Sequence, residues 1–172
     1  MSSETFTTAM FLIAAIISAG VLINAVFPVI YTLSGTISSS SHSVDERLST
    51  DVKIITTYAS HNNGDGIAHI WLKNIGTSRI PDASVRGADV FLGSQGNFIR
   101  LTRVEVLLGG ALHNGEWACS ILDENGNNYW DPGETLYIQA RTGLIPAKEE
   151  IVYFQFVLPS GISRSTTFTA SD

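Results

Sequence analysis

Ala9-Met-Phe-Leu-Ile-Ala-Ala-Ile-Ile-Ser-Ala-Gly-Val-Leu-Ile23 is the centre of an N-terminal stretch in which the first 44 residues hold neither lysine nor arginine. Between Glu4 and Asp45, the only side chain that titrates near neutrality is His42. As an α-helix, Phe6 to Leu33 would span roughly 42 Å, more than the roughly 30 Å hydrocarbon core of a bilayer. The segment is therefore long enough to cross a membrane or to form a rod packed against copies of itself. A secretory signal peptide would bring a positive n-region, a shorter apolar run and a small-residue cleavage site. Without any basic flank, a retained anchor or assembly helix is the expectation.

Small residues recur four apart within it, Ala14 with Ser18 and Ala15 with Ala19. Such faces let helix backbones approach closely where hydrophobicity alone gives no drive to associate. The same residues are also common in any membrane helix. Asn24 adds an amide that seeks a partner in a neighbouring helix or at the lipid boundary, which makes self-association through this segment an expectation. Pro28 lacks an N–H and is expected to kink the helix or end its regular part. Ser34, Gly35 and Ser38 to Ser41 are poor helix formers in water, so residues 34–43 read as a frayed helix end or a short spacer.

Beyond residue 44 the chain changes character. Residues 45–172 hold all ten basic residues and fifteen of the sixteen acidic ones, a net charge near −5. That length supports one domain with its own core. A mildly acidic surface argues against nucleic acid and against a polybasic grip on anionic lipid. Cys119 is the only cysteine, which excludes an intrachain disulfide and points to a structural buried thiol.

Short alternating segments punctuated by turn residues mark this part as all-β. Strands are predicted at Val52–Tyr58, Ile67–Lys73, Ala88–Leu92, Phe98–Leu107, Glu116–Ile121, Thr135–Ala140, Ile151–Leu158 and Ser165–Thr169. Asn62-Asn63-Gly64-Asp65-Gly66, Gly109-Gly110, Asn114-Gly115 and Pro159-Ser160-Gly161 lie between them. The expected fold is α plus all-β: a long hydrophobic helix over 1–44 with its Ser-rich spacer, then an immunoglobulin-like antiparallel β-sandwich over 45–172.

No catalytic constellation emerges. His42, His61, His69 and His113 have no metal-ligand spacing, and neither a Gly-x-Ser-x-Gly elbow nor a phosphate-cradling glycine loop is present. His69 reads as a packed or edge histidine, and Glu149-Glu150 as solvated charge on opposite faces of a strand.

One loop carries the only cofactor chemistry the sequence raises. Asp123, Asn125, Asn127, Tyr129, Asp131 and Glu134 occupy positions 1, 3, 5, 7, 9 and 12 of a twelve-residue window, the pattern of an oxygen-lined calcium loop. Tyr129 would offer its carbonyl and Glu134 both carboxylate oxygens. Asn128 stands where such loops use glycine, although asparagine tolerates the left-handed conformation the turn needs. The favoured reading of the same residues is an Asn/Gly-rich turn followed by the tight turn Asp131-Pro132-Gly133-Glu134, which launches the next strand. Neither reading makes a cofactor a requirement. The chain contains no Asn-x-Ser/Thr sequon, so ordinary N-glycosylation is not expected.

An apolar N-terminal helix without a basic flank, leading into a β-sandwich, is the plan of the archaellin and pilin-like proteins of archaea. The segments Arg47-Leu-Ser-Thr-Asp51-Val-Lys-Ile-Ile55, Trp71-Leu-Lys-Asn74-Ile-Gly76-Thr-Ser-Arg-Ile-Pro81 and Ala88-Asp89-Val-Phe-Leu92 go further. They resemble the G-type accessory proteins of the archaellum, the archaeal rotary motility filament, whose paralogues are the F-type accessory proteins. The resemblance covers the helix and residues 45–92, and is thin from Leu107 to Asp131. Filament-forming archaellins resemble type IV pilins in a short leader ending in a basic residue and glycine. Here Met-Ser-Ser-Glu-Thr precedes Phe6 with no Lys-Gly or Arg-Gly, so a retained N-terminus is expected.

The resemblance implies a stator-type role without catalysis. The helix would sit in the cytoplasmic membrane, and the extracytoplasmic sandwich would hold the motor against surface-layer protein, alone or with an F-type partner. A filament subunit, archaellin or pilin, is the main alternative. A membrane-tethered calcium-dependent binding module is a third.

Overall fold

The computed structural model describes residues 2–62, 64–105, 111–122 and 126–171. Contacts divide the chain into two compact units, Met1–Asp45 and Glu46–Asp172.

The first element is a single helix, α1 (Ser2–Ser49). Alanine, leucine and methionine favour it through the apolar centre. Two expectations are corrected here. Pro28 lies inside the helix and does not end it, and residues 34–43 are helical, not a spacer or frayed end. Thr32 Oγ1 donates to the Pro28 carbonyl at 2.9 Å, and Thr36 Oγ1 to the Thr32 carbonyl at 2.8 Å. Hydroxyls that would otherwise compete with the helix are thereby absorbed into it. Helix α1 runs on to Ser49, so its last turn belongs to the second unit, which begins at Glu46.

The second unit contains strands β1 (Val52–Asn62), β2 (Asp65–Asn74) and β3 (Ile80–Pro81), the one-turn helix α2 (Asp82–Arg86), then β4 (Asp89–Ser94), β5 (Asn97–Arg103), β6 (Glu116–Leu122), β7 (Tyr129–Trp130), β8 (Thr135–Thr142), β9 (Ile151–Val157) and β10 (Ser163–Thr169). All eight predicted strands are present, several longer by a few residues. The fourth ends at Arg103, with Val104 and Glu105 already outside it, short of the expected Leu107, which itself lies outside the described residues. The pieces β3, α2 and β7 were not foreseen. They are too short to show a period.

Eight strands run in the order β1-β2-β8-β6-β5-β4-β9-β10, folded into two layers, while β3 and β7 pair separately. One junction departs from the wholly antiparallel expectation: β5 pairs parallel to β6 through Thr102↔Glu116 and Arg103↔Trp117. A tight hairpin turn cannot join two parallel strands.

The core sits between the layers. Ile70, Leu72, Leu136 and Ile138 face Val90, Leu92, Phe154 and Phe156 across it, with Trp117 and Trp130 also buried. Strand β2 alternates buried and half-buried along its length, the pattern of a strand with one face in a core. Truncating one of these large aliphatic residues to alanine typically costs about 2–5 kcal/mol. The end strands β1 and β10 face each other instead of lying open. Arg164 Nε donates to the Val52 carbonyl at 2.8 Å near one end, and Ser171 N donates to the Ala59 carbonyl at 2.8 Å near the other. A bulge between Ile54 and Thr56 further blunts β1 as a docking edge.

Candidate functional site

A cluster of hydrogen bonds forms where the chain leaves α1. The Ser49 carbonyl accepts from Thr77 N at 2.8 Å and Ser78 N at 3.1 Å. The Asp51 carbonyl accepts from Ile75 N at 2.9 Å and Gly76 N at 3.0 Å. Arg164 on β10 donates Nη2 to the Asp51 carboxylate, so β10 grips the same segment from another side. Thr50, between these points, is buried. A helix normally ends with orphan carbonyls; here loop 75–78 supplies partners for that of Ser49.

That loop is itself fixed by Asn74, whose side chain is fully buried. Its Nδ2 donates to the carbonyls of Ser78 and Trp130, each at 2.9 Å, and its Oδ1 accepts from Gly76 N at 3.0 Å. The Asn74 backbone adds a bond to the Glu134 carbonyl at 3.0 Å and one from Gly133 N at 2.7 Å. Gly76 is required by space. A Cβ there would stand 2.5 Å from both the Asp51 nitrogen and the Ser49 oxygen.

Asp123 and Asn125 of the expected calcium loop lie outside the described residues. The other four positions are brought close together. Asn127 Nδ2 donates to Asp131 Oδ2 at 2.6 Å, and Tyr129 N donates to Asn127 Oδ1 at 2.8 Å. Asp131 N donates to Glu134 Oε2 at 2.8 Å, while the Glu134 carbonyl accepts from Trp130 Nε1 at 2.9 Å. Asn128 adopts φ 61°, the left-handed conformation anticipated for it. Among the described residues, no three His, Cys, Asp or Glu side chains gather as a metal site would require.

On α1, Ala14, Ala15, Ser18, Ala19 and Asn24 are all exposed within the single chain, as are the large apolar residues from Phe6 to Ile37. Residues Ser3–Ile37 meet the length and composition of a membrane span. As a helix they extend roughly 52 Å.

Burial pushes the Cys119 thiol up, against the pull of Arg103. His69 is lowered and Tyr137 raised by burial, and His69 Nδ1 lies 2.6 Å from the Tyr137 hydroxyl. The His113 backbone N–H holds Glu116 below the usual carboxylate range. Asn74, Gly76 and Arg164 were not singled out by sequence reasoning as a site. The available signal was an Asn-x-Gly step just past a strand, which marks a turn but not what the turn grips.

The family model for archaeal-type flagellin matches residues 2–168. A protein of Archaeoglobus fulgidus is 24% identical over 172 residues, covering 98% of this chain and 99% of its own length. Among solved structures, the archaellum periplasmic stator protein FlaG from Sulfolobus acidocaldarius matches with TM-score 0.50 and 19% identity, covering 69% of this chain and 99% of that one. The archaeal flagellum of Methanospirillum hungatei strain JF1 matches with TM-score 0.66 and 16% identity, covering 97% of this chain and 93% of that one. At these identities the structural likenesses bear on the fold.

Proposed function

The chain belongs to the archaeal-type flagellin family, and from that premise we propose that it is a non-catalytic, stator-type component of the archaellum. In this reading α1 sits in the cytoplasmic membrane, and the sandwich projects outside it and bears on surface-layer protein, alone or beside an F-type partner. A stator must pass load between membrane and envelope without slipping. The observation that carries the reading is the clasp at Ser49–Val52, where the chain leaving the helix is held by loop 75–78 and by Arg164 from two sides. The match to the stator protein FlaG over 99% of that chain supports the same direction.

A filament subunit is the second reading, favoured by the match to the Methanospirillum flagellum over 97% of this chain, helix included. A helix apolar on every side and longer than a bilayer requires is compatible with burial among copies of itself.

The test is deletion of this protein with the filament genes intact, followed by electron microscopy and swimming assays. Filaments that assemble but fail to drive swimming support the stator reading. Normal swimming removes it, and cells without filaments favour the subunit reading. Capture of surface-layer protein by the membrane-embedded full chain tests the proposed contact separately.

A further inference from the structure

The outward face of the layer β1-β2-β8-β6 carries a ring cluster that no part of the stator reading uses. Register places Thr56, Trp71, Tyr137 and Ser120 in one cross-strand row, and Tyr58, His69 and Gln139 in the next. Ring centroids are 5.2 Å apart for Trp71 and Tyr137, and His69 lies 5.9 Å from Tyr137 and 6.0 Å from Tyr58. The His69 and Tyr137 planes are within 16° of parallel. On the other side of the Trp71 row, Lys53 stands directly opposite Lys73 in register.

Like charges opposed across a strand pair lower stability, and among the described residues neither lysine has an ion pair. None of these three rows contains a carboxylate, on a chain of net charge −6. An anion beside the two lysines would relieve that repulsion. The patch is small: four strands and three rows cover about 14 Å by 14 Å. That is roughly 200 Å², well short of the about 800 Å² per partner of a standard protein interface. Aromatic rings edged by hydroxyl and amide groups offer an apolar body with polar handles.

We propose that this patch binds an acidic saccharide, with sugar faces against Trp71, Tyr137 and Tyr58, and a carboxylate toward Lys53 and Lys73. Thr56, Ser120 and Gln139 supply hydrogen bonds to ring hydroxyls. The inference stands apart from the stator reading, because a saccharide contact would serve an anchored protein or a filament subunit equally.

The test uses the full chain in detergent micelles, titrated with a uronic-acid-containing hyaluronan tetrasaccharide, with neutral cellotetraose and with tetraglutamate, read by calorimetry and tryptophan fluorescence. The acidic tetrasaccharide is expected to bind, and the Lys53→Ala/Lys73→Ala variant to weaken it about tenfold and to flatten its salt dependence. Trp71→Ala is expected to weaken it at least as much. Both lysines are exposed, so their variant decides the matter even if Trp71→Ala does not fold. Three outcomes overturn the inference: no saturable binding of the tetrasaccharide, unchanged affinity in the lysine variant, or tetraglutamate binding as tightly, which would point to an acidic protein segment instead.

Discussion

The buried amide of Asn74 donates to the carbonyl of Trp130 at 2.9 Å, tying the loop that grips the end of α1 to strand β7. Replacing Asn74 by alanine leaves the Ser78 and Trp130 carbonyls and the Gly76 amide without these partners. Buried groups left unpaired cost about 1–3 kcal/mol each, partly recovered by water. Asn74→Ala is therefore expected to lower Tm by roughly 5–15 °C in a thermal melt. A change within experimental error would mean that the amide is not structurally required.

Gly76→Ala addresses the clasp more locally. The added methyl meets backbone on both sides, so the loop must shift away from Ser49 and Asp51. Overpacking of this kind costs about 1–3 kcal/mol. Hydrogen exchange is the sharper readout: the Thr77 and Ser78 amides, bonded to the Ser49 carbonyl, should lose protection well before amides in β2 do. Uniform loss across the sandwich would show instead that the loop has no separate mechanical identity.

Burial holds the His69 pKa below its ordinary 6.5. A depressed base is neutral in the fold and more readily protonated when unfolded. Its contribution to stability is therefore intact above pH about 6.5 and is lost as pH falls from there through the folded pKa. Urea midpoints should fall between pH 7.5 and 5.5, and by less in His69→Gln. An equal fall in both proteins would assign the effect elsewhere.

Glu134 offers a test of the loop that spacing alone leaves open. Its carboxylate accepts from the Asp131 amide at 2.8 Å, closing the Asp131-Pro132-Gly133-Glu134 turn. Glu134→Gln is expected to lower Tm modestly, by about 1 kcal/mol of stability, equally with and without millimolar calcium. A calcium-dependent rise in Tm seen only in the unsubstituted chain would instead establish the loop as a metal site.

The long elements were legible because each carries an extended pattern. Strict alternation from Asp65 to Asn74 marks a half-buried strand, and the uncharged run from Thr5 marks a membrane-scale helix. The helix end was missed because helix propensity penalises serine and threonine, whereas Thr32 and Thr36 satisfy their hydroxyls on the carbonyls one turn back. Ile80–Pro81 and Tyr129–Trp130 pair with each other across a long separation, and two residues carry no periodic signal. The clasp was unreadable for a related reason. Asn74 and Gly76 are ordinary turn residues until folding brings Ser49, Asp51 and Trp130 against them.

The central claim, a retained anchor rather than a building block of the filament, is tested most directly by mass spectrometry of filaments sheared from motile cells, beside the washed cell envelope. The account predicts this chain in the envelope and at most traces in the filament. Its recovery as a major component of the sheared filament would contradict the account and assign α1 to the filament core.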